Sequence, residues 1–225
     1  MTGEPDILDP ERKLALSYVG GGRRPALELL WRLDAALGQI LRGATQPITG
    51  QLRLAWWREA LAALDHAPAP AEPMLQAMQD RLLPEGLSGR DLTALVDGWE
   101  QLLANETLSD GDLEAYAAGR GGSLFRLSAE LLGDSSLAGL EEAGCGWALV
   151  DLARHSSKDR EAAAAIDAAA GQFAEAPSSW PSRLRPLGML AALARRDAVC
   201  GSRAMAAPAS PGRMLRMLVH RLTGR

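Results

Sequence analysis

Leu27, Leu30, Leu33, Leu37, Ile40 and Leu41 return every three or four residues between Arg23 and Arg42. That is the spacing at which side chains stack along one stripe of an α-helix, whereas a strand would send neighbours to opposite faces. A stripe this long must be laid against other apolar helices, so the feature points to a helical bundle. Composition agrees: Ala, Leu and Arg dominate, and only two Phe and two Tyr occur, a balance that favours helix over strand. An all-α fold is expected. With 225 residues the chain suits one sizeable domain over 1–225, long enough to bury a core without staples.

Punctuation sets the helix ends. Asp9 and Pro10 form an N-cap and first-turn pair for a short helix to about Val19, which Gly20, Gly21 and Gly22 then break. The leucine helix follows, and Pro47 opens another to about His66. The tract "APAPAEP" reads as a stiff connection within the domain. Ser88 with Asp91 resembles a capping box and starts a helix through "LTALVDGWEQLLAN". Ser109 begins a stretch through Tyr116 that is expected to kink or break at "GRGG", Gly119 to Gly122, before resuming in "SLFRLSAELLG". Helices over about 137–155, 158–173, 181–200 and 211–222 complete the pattern.

The segment "LRLAWWREAL", Leu52 to Leu61, places two tryptophans side by side. Neighbouring residues point about 100° apart on a helix, so Trp56 and Trp57 serve different faces. Leu54, Trp57, Leu61 and Leu64 make one stripe, and Leu52, Trp56, Ala60 and Ala63 line the next. The expectation is a helix wrapped on two sides, either wholly in the core or with one face on a cavity.

Charge and cysteine usage exclude several classes. The net charge is −4, yet residues 181–225 hold nine arginines against Asp197, about +8, which leaves about −12 upstream (8 − 12 = −4). Arginines not interleaved with aromatics on an acidic chain argue against nucleic acid. Cys145 and Cys200 show no partner spacing, no run reaches the roughly 18 apolar residues of a membrane span, and "MTGEPDILDPERK" lacks an apolar leader. A cytoplasmic location is expected, with a peripheral one on the inner membrane open through the tail. There Met214, Leu215, Leu218 and Leu222 make an apolar face flanked by Arg213, Arg216, Arg221 and Arg225, a basic amphipathic helix at about 211–223. Such a helix rests on an anionic membrane or docks on the acidic body.

The order "SYVGGGRRPALELLWRLDAAL", "GQLRLAWWREAL", "LVDGWEQLL" and "DLEAYAAGRGGSLFRLSAELLG" resembles the squalene/phytoene synthase family of head-to-head isoprenoid synthases, over roughly residues 14–160. The resemblance implies an isoprenoid-synthase-like bundle around a central cavity that takes prenyl chains. By resemblance only, Arg53, Trp56, Trp57, Tyr116 and Arg154 are placed at that cavity or its diphosphate mouth.

In the family two Asp-x-x-x-Asp ladders hold Mg²⁺ ions that draw off the diphosphate of an allylic substrate. Alignment of "LLWRLDAALGQILR" puts Gly38 and Arg42 at the first ladder, a cation where an anion is required, and leaves Asp34 one turn earlier without a partner. The second falls on "DLARHSSKD", where Asp151, His155 and Asp159 keep the i, i+4, i+8 spacing with histidine at the centre. The trio suits one Zn²⁺ or Fe²⁺ better than Mg²⁺, unless Ser156 and Ser157 end the helix and scatter the row. Arg42 is expected to reach Asp151 or Asp159 and plug the old metal site. Glu106, Asp110 and Glu114 read as solvated acids at a helix start.

This loss matches a branch of the family resembling the mitochondrial respiratory complex I assembly factor. The leading expectation is therefore a catalytically degenerate member, a pseudoenzyme with no cofactor, that binds a prenyl- or lipid-like small molecule or a respiratory-complex subunit. The alternative is an active prenyltransferase that condenses farnesyl or geranylgeranyl diphosphate with Mg²⁺, using Asp151 and Asp159.

Overall fold

A computed structural model describes residues 7–43, 46–201 and 205–225, whose regular secondary structure is all helical, with no strand among them. The helices are α1 (Pro10–Ser17), α2 (Arg24–Gly43), α3 (Pro47–Ala63), α4 (Pro73–Arg81), α5 (Gly89–Ala104), α6 (Asp110–Tyr116), α7 (Ser123–Leu132), α8 (Leu140–His155), α9 (Asp159–Glu175), α10 (Arg185–Cys200) and α11 (Pro211–Thr223). Their starts follow the local chemistry. Asp9 accepts hydrogen bonds from the Glu11 and Arg12 amides, Ser88 with Asp91 and Ser109 with Asp112 form capping boxes, and prolines occupy the first turns of α1, α3, α4 and α11. The α4 helix, beyond the stiff connection, is additional to the helices expected from the sequence.

The leucine stripe of α2 is buried as expected, with Trp31 beside it. At the centre of the bundle stands α8, buried along most of its length against α7, α9 and α10. The glycines at 119–122 do not break the chain. Ala117–Gly122 is instead a π-helical segment that joins α6 to α7 without interruption. A π turn inserts an extra residue and re-aims the side chains it carries, a geometry common at functional positions. It is tolerated here because glycine faces glycine on both sides. A Cβ on Gly98 of α5 would lie 2.3 Å from the Arg120 amide nitrogen, and one on Gly121 would lie 2.2 Å from the Gly144 carbonyl oxygen of α8. The segment is thereby pressed between α5 and α8, with Arg120 buried in the interior.

Two sequence expectations require correction. The tryptophan helix α3 is not wrapped on two sides: it packs on α5 and α2 through Gly50, Leu54 and Leu61, while Ile48 (55% exposed), Leu52 (66%) and Trp56 (45%) form a bare ridge. In α11 the proposed apolar face is divided. Met217, His220 and Arg213 are buried on the docked side, Met214 and Leu218 are half-buried, and Leu215, Val219 and Leu222 face solvent. No helix among the described residues is long and apolar enough to cross a membrane.

The packing of the π segment can be tested by substitution. Gly98→Ala and Gly121→Ala are each expected to lower unfolding stability by about 2–3 kcal/mol in urea titrations, because backbone atoms must move. Gly171→Ala, on α9 with open space around the new methyl, is expected to be neutral or to stabilise by up to about 1 kcal/mol.

Candidate functional site

The interior holds a carboxylate that no water reaches. Asp34, on the buried stripe of α2, is fully enclosed. Its Oδ1 accepts from Trp99 Nε1 at 2.9 Å and from Arg120 Nε at 2.9 Å, and its Oδ2 accepts from Arg12 Nη2 at 2.7 Å and Arg120 Nη2 at 3.2 Å. Four donors thus fill the acceptor positions of one carboxylate. Arg120 continues through Nη1, which donates to the Tyr116 hydroxyl at 2.5 Å and to Asp151 Oδ2 at 2.7 Å. Its guanidinium lies 4.0 Å from the Trp99 ring centre and 4.8 Å from that of Trp147, and Arg12 sits 4.9 Å from Trp147. Two arginines and two aspartates therefore balance within an aromatic box, with every guanidinium edge or face engaged.

Gly38 is part of this arrangement. A Cβ there would lie 2.9 Å from Trp99 Cζ2, so the bare glycine is what allows the indole to lie across α2 and reach Asp34.

Above the network the bundle opens into two adjoining clefts. One, of about 400 Å³, has an apolar wall of Leu41, Leu102, Leu103, Leu108 and Leu152, with Trp99, Tyr116 and Asp151 among its lining residues. The other, of about 260 Å³, exposes edges of Arg12, Arg42, Arg120 and Asp151. Gly38, Arg42, Trp99, Asp151 and His155 border both. Both clefts open to solvent. On their inner side lie the aromatic rings and the ion network.

A second network ties the N-terminal helix to the C-terminal ones. Arg213 on α11 donates to Glu11 Oε1 at 2.6 Å and to Asp197 Oδ2 at 2.5 Å, and Arg154 Nη2 reaches the same Asp197 oxygen at 2.7 Å. It closes a small cavity of about 130 Å³ between α1, α8 and α10.

Of the residues singled out from sequence, Tyr116 and Asp151 meet at the cleft and His155 lies at its rim. Arg154 is committed to Asp197 and to the Ala206 carbonyl instead. Arg53, Trp56 and Trp57 lie on α3 and line neither cleft; Arg53 and Trp56 are exposed, and Trp57 packs on the core edge. The helical row Asp151, His155, Asp159 is not continuous, since α8 ends at His155, Ser156 is extended and Asp159 begins α9. Among the described residues no three His, Cys, Asp or Glu side chains converge as for a metal ion. The guanidinium on Asp151 is Arg120, not Arg42. Arg42 is exposed at the cleft mouth, folded over Gly38.

The electrostatics follow the geometry. Burial would raise the Asp34 carboxyl, but the guanidinium of Arg120, then that of Arg12, outweighs it and holds Asp34 below the usual carboxylate range. Asp151 is held low in the same way, against burial, by Arg120 and then His155. The hydrogen bond to Asp151 raises His155 above its ordinary value. Burial pushes the Tyr116 phenol well up, so it stays protonated.

Removal of one partner leaves a buried charge exposed to no solvent. Asp34→Asn and Arg120→Met are each expected to cost about 3–5 kcal/mol in denaturant unfolding, and the double variant clearly less than the sum. Depressed carboxylates contribute stability that is full above their ordinary pKa near 4 and is lost as pH falls through the lower folded values. Stability of the wild type is therefore expected to fall below about pH 4, with a shallower slope in Asp34→Asn.

The family model described as squalene/phytoene synthase matches residues 9–169, most of the chain and all of the elements that build the Asp34 network. Comparison with curated proteins and with solved structures gives no match. The all-helical bundle and that match agree: the chain belongs to the squalene/phytoene synthase family.

Proposed function

We propose that this chain is a family member that does not ionise an allylic diphosphate and instead binds a prenyl- or lipid-like ligand in the cleft beside Trp99 and Tyr116. One observation carries the reading: both oxygens of Asp34 and one of Asp151 are occupied by guanidinium and indole donors. Mg²⁺ demands free carboxylate oxygens, and the residues at the first ladder position, Gly38 and Arg42, supply none. These residues do not fit a metal cluster. The leucine wall retains what an apolar chain needs, and Arg42, which makes no ion pair among the described residues, is placed to meet an anionic end.

A second reading rests on the bare ridge of α3. Ile48, Leu52 and Trp56 stand four residues apart and face outward, and large apolar side chains aligned in this way mark contact surfaces. In this reading the chain acts as an assembly factor, and a respiratory-complex subunit packs on α3.

Purified protein given labelled farnesyl or geranylgeranyl diphosphate with Mg²⁺ is expected to release no diphosphate above background. Farnesyl diphosphate without metal is expected to be retained, about tenfold less by Leu108→Asp. Turnover that disappears in Asp151→Ala or Asp159→Ala would establish an active prenyltransferase instead.

A further inference from the structure

A further opening lies between α10, α11 and the end of α9. It measures about 320 Å³ and is lined by Phe173 and Trp180, by Arg195, Arg196 and Val199 of α10, and by Arg216 and His220 of α11 with Arg225 beyond it. Four guanidiniums therefore converge on one pocket, and no acidic side chain lines it. All four are exposed and none makes an ion pair among the described residues, in a chain whose net charge is negative and whose buried arginines, Arg12, Arg120 and Arg213, are each paired with acids. Unpaired cations held together repel one another, and a bound anion removes that cost.

His220 closes the inner wall of this pocket. It is 3% exposed, with both ring nitrogens enclosed beside the Arg225 backbone. It fits because residue 188 is glycine, whose Cβ would stand 2.2 Å from Nε2. Burial pushes this ring down to about 4, so it is neutral, and the positive charge comes from the arginines alone.

The surroundings define the ligand further. Arg216 and His220 share one face of α11, and the adjacent face carries Leu215, Val219 and Leu222, the last 78% exposed. Val199, at the rim, is 85% exposed. Exposed aliphatic side chains beside a basic pocket are wasteful in water and favourable at the boundary between headgroups and acyl chains. A pocket of this size with an aromatic floor takes one phosphate-bearing headgroup and not an extended polyanion.

We propose that this pocket binds the phosphate of an acidic phospholipid headgroup, with Leu215, Val219 and Leu222 of α11 entering the interfacial layer of the bilayer. The site is separate from the cleft and stands whether or not the cleft binds a prenyl chain. Sedimentation of the full chain with vesicles tests it. The wild type is expected to pellet with phosphatidylglycerol and phosphatidylcholine mixtures and not with phosphatidylcholine alone. Arg195→Gln with Arg196→Gln is expected to weaken that binding about tenfold or more. Both arginines are exposed and unpaired, so the variant is expected to unfold at the wild-type temperature. Leu222→Ser is expected to weaken binding as well. Equal pelleting with both vesicle types, or a double-arginine variant that binds as the wild type does, would overturn the proposal. Thermal stabilisation by inorganic phosphate without any vesicle binding would overturn the lipid assignment and leave a site for soluble phosphates.

Discussion

The Asp34 carboxylate governs the interior of this protein. An unpaired charge in that position would cost several kcal/mol of desolvation, and it is tolerable only because Arg12, Arg120 and Trp99 together fill its acceptor sites. Each donor arrives from a different element: Arg12 from α1, Trp99 from α5 and Arg120 from the π segment. The carboxylate thus fixes how these elements meet α2. A buried ion network of this kind is a weak source of net stability, since desolvation cancels much of the attraction. Its stronger effect is on geometry, because any other packing of these helices strands a charge.

The rest of the core serves that arrangement. Gly98, Gly119, Gly121 and Gly144 allow backbones to approach closely enough for Arg120 to reach the centre, and Gly38 clears the path of the Trp99 ring. The α1 helix is pinned twice, once inward through Arg12 and once to α11 through Glu11 and Arg213. That second link holds the C-terminal helix on the body, so one of its faces is left outward with the aliphatic ridge. Asp151 is the one position shared by this network and the acidic ladders that the family's metal chemistry uses, and its engagement by Arg120 supports the proposed loss of catalysis.

Much of the architecture was legible in the sequence. Leucine spacing gave α2, and proline and capping residues gave the starts of α1, α3, α5, α6 and α11, since these signals act within one helical turn. The glycine run misled because a break and a π turn share a composition, and only tight neighbours on both sides, Gly98 and Gly144, decide between them. The tryptophan pair misled because two apolar faces do not say whether both are covered. Of the residues named through the family pattern, Tyr116 and Asp151 line one cleft together. Arg120 was missed: among 22 arginines one in "AGRGGS" does not stand out, and its partner Asp34 is 86 residues away. An arginine enclosed by glycines and alanines, with no polar neighbour to hold it at a surface, is the signal that could have found it.

The central claim is that the guanidinium of Arg120 occupies Asp151, a carboxylate that a metal cluster would need, while Gly38 and Arg42 supply none at the other ladder. Electron paramagnetic resonance of Mn²⁺ titrated into the protein with a non-hydrolysable thio-diphosphate of farnesol tests it directly. The account predicts that free Mn²⁺ falls no further than the diphosphate alone would lower it, in the wild type and in Asp151→Asn alike. Tight additional Mn²⁺ binding in the wild type that disappears in Asp151→Asn would contradict it.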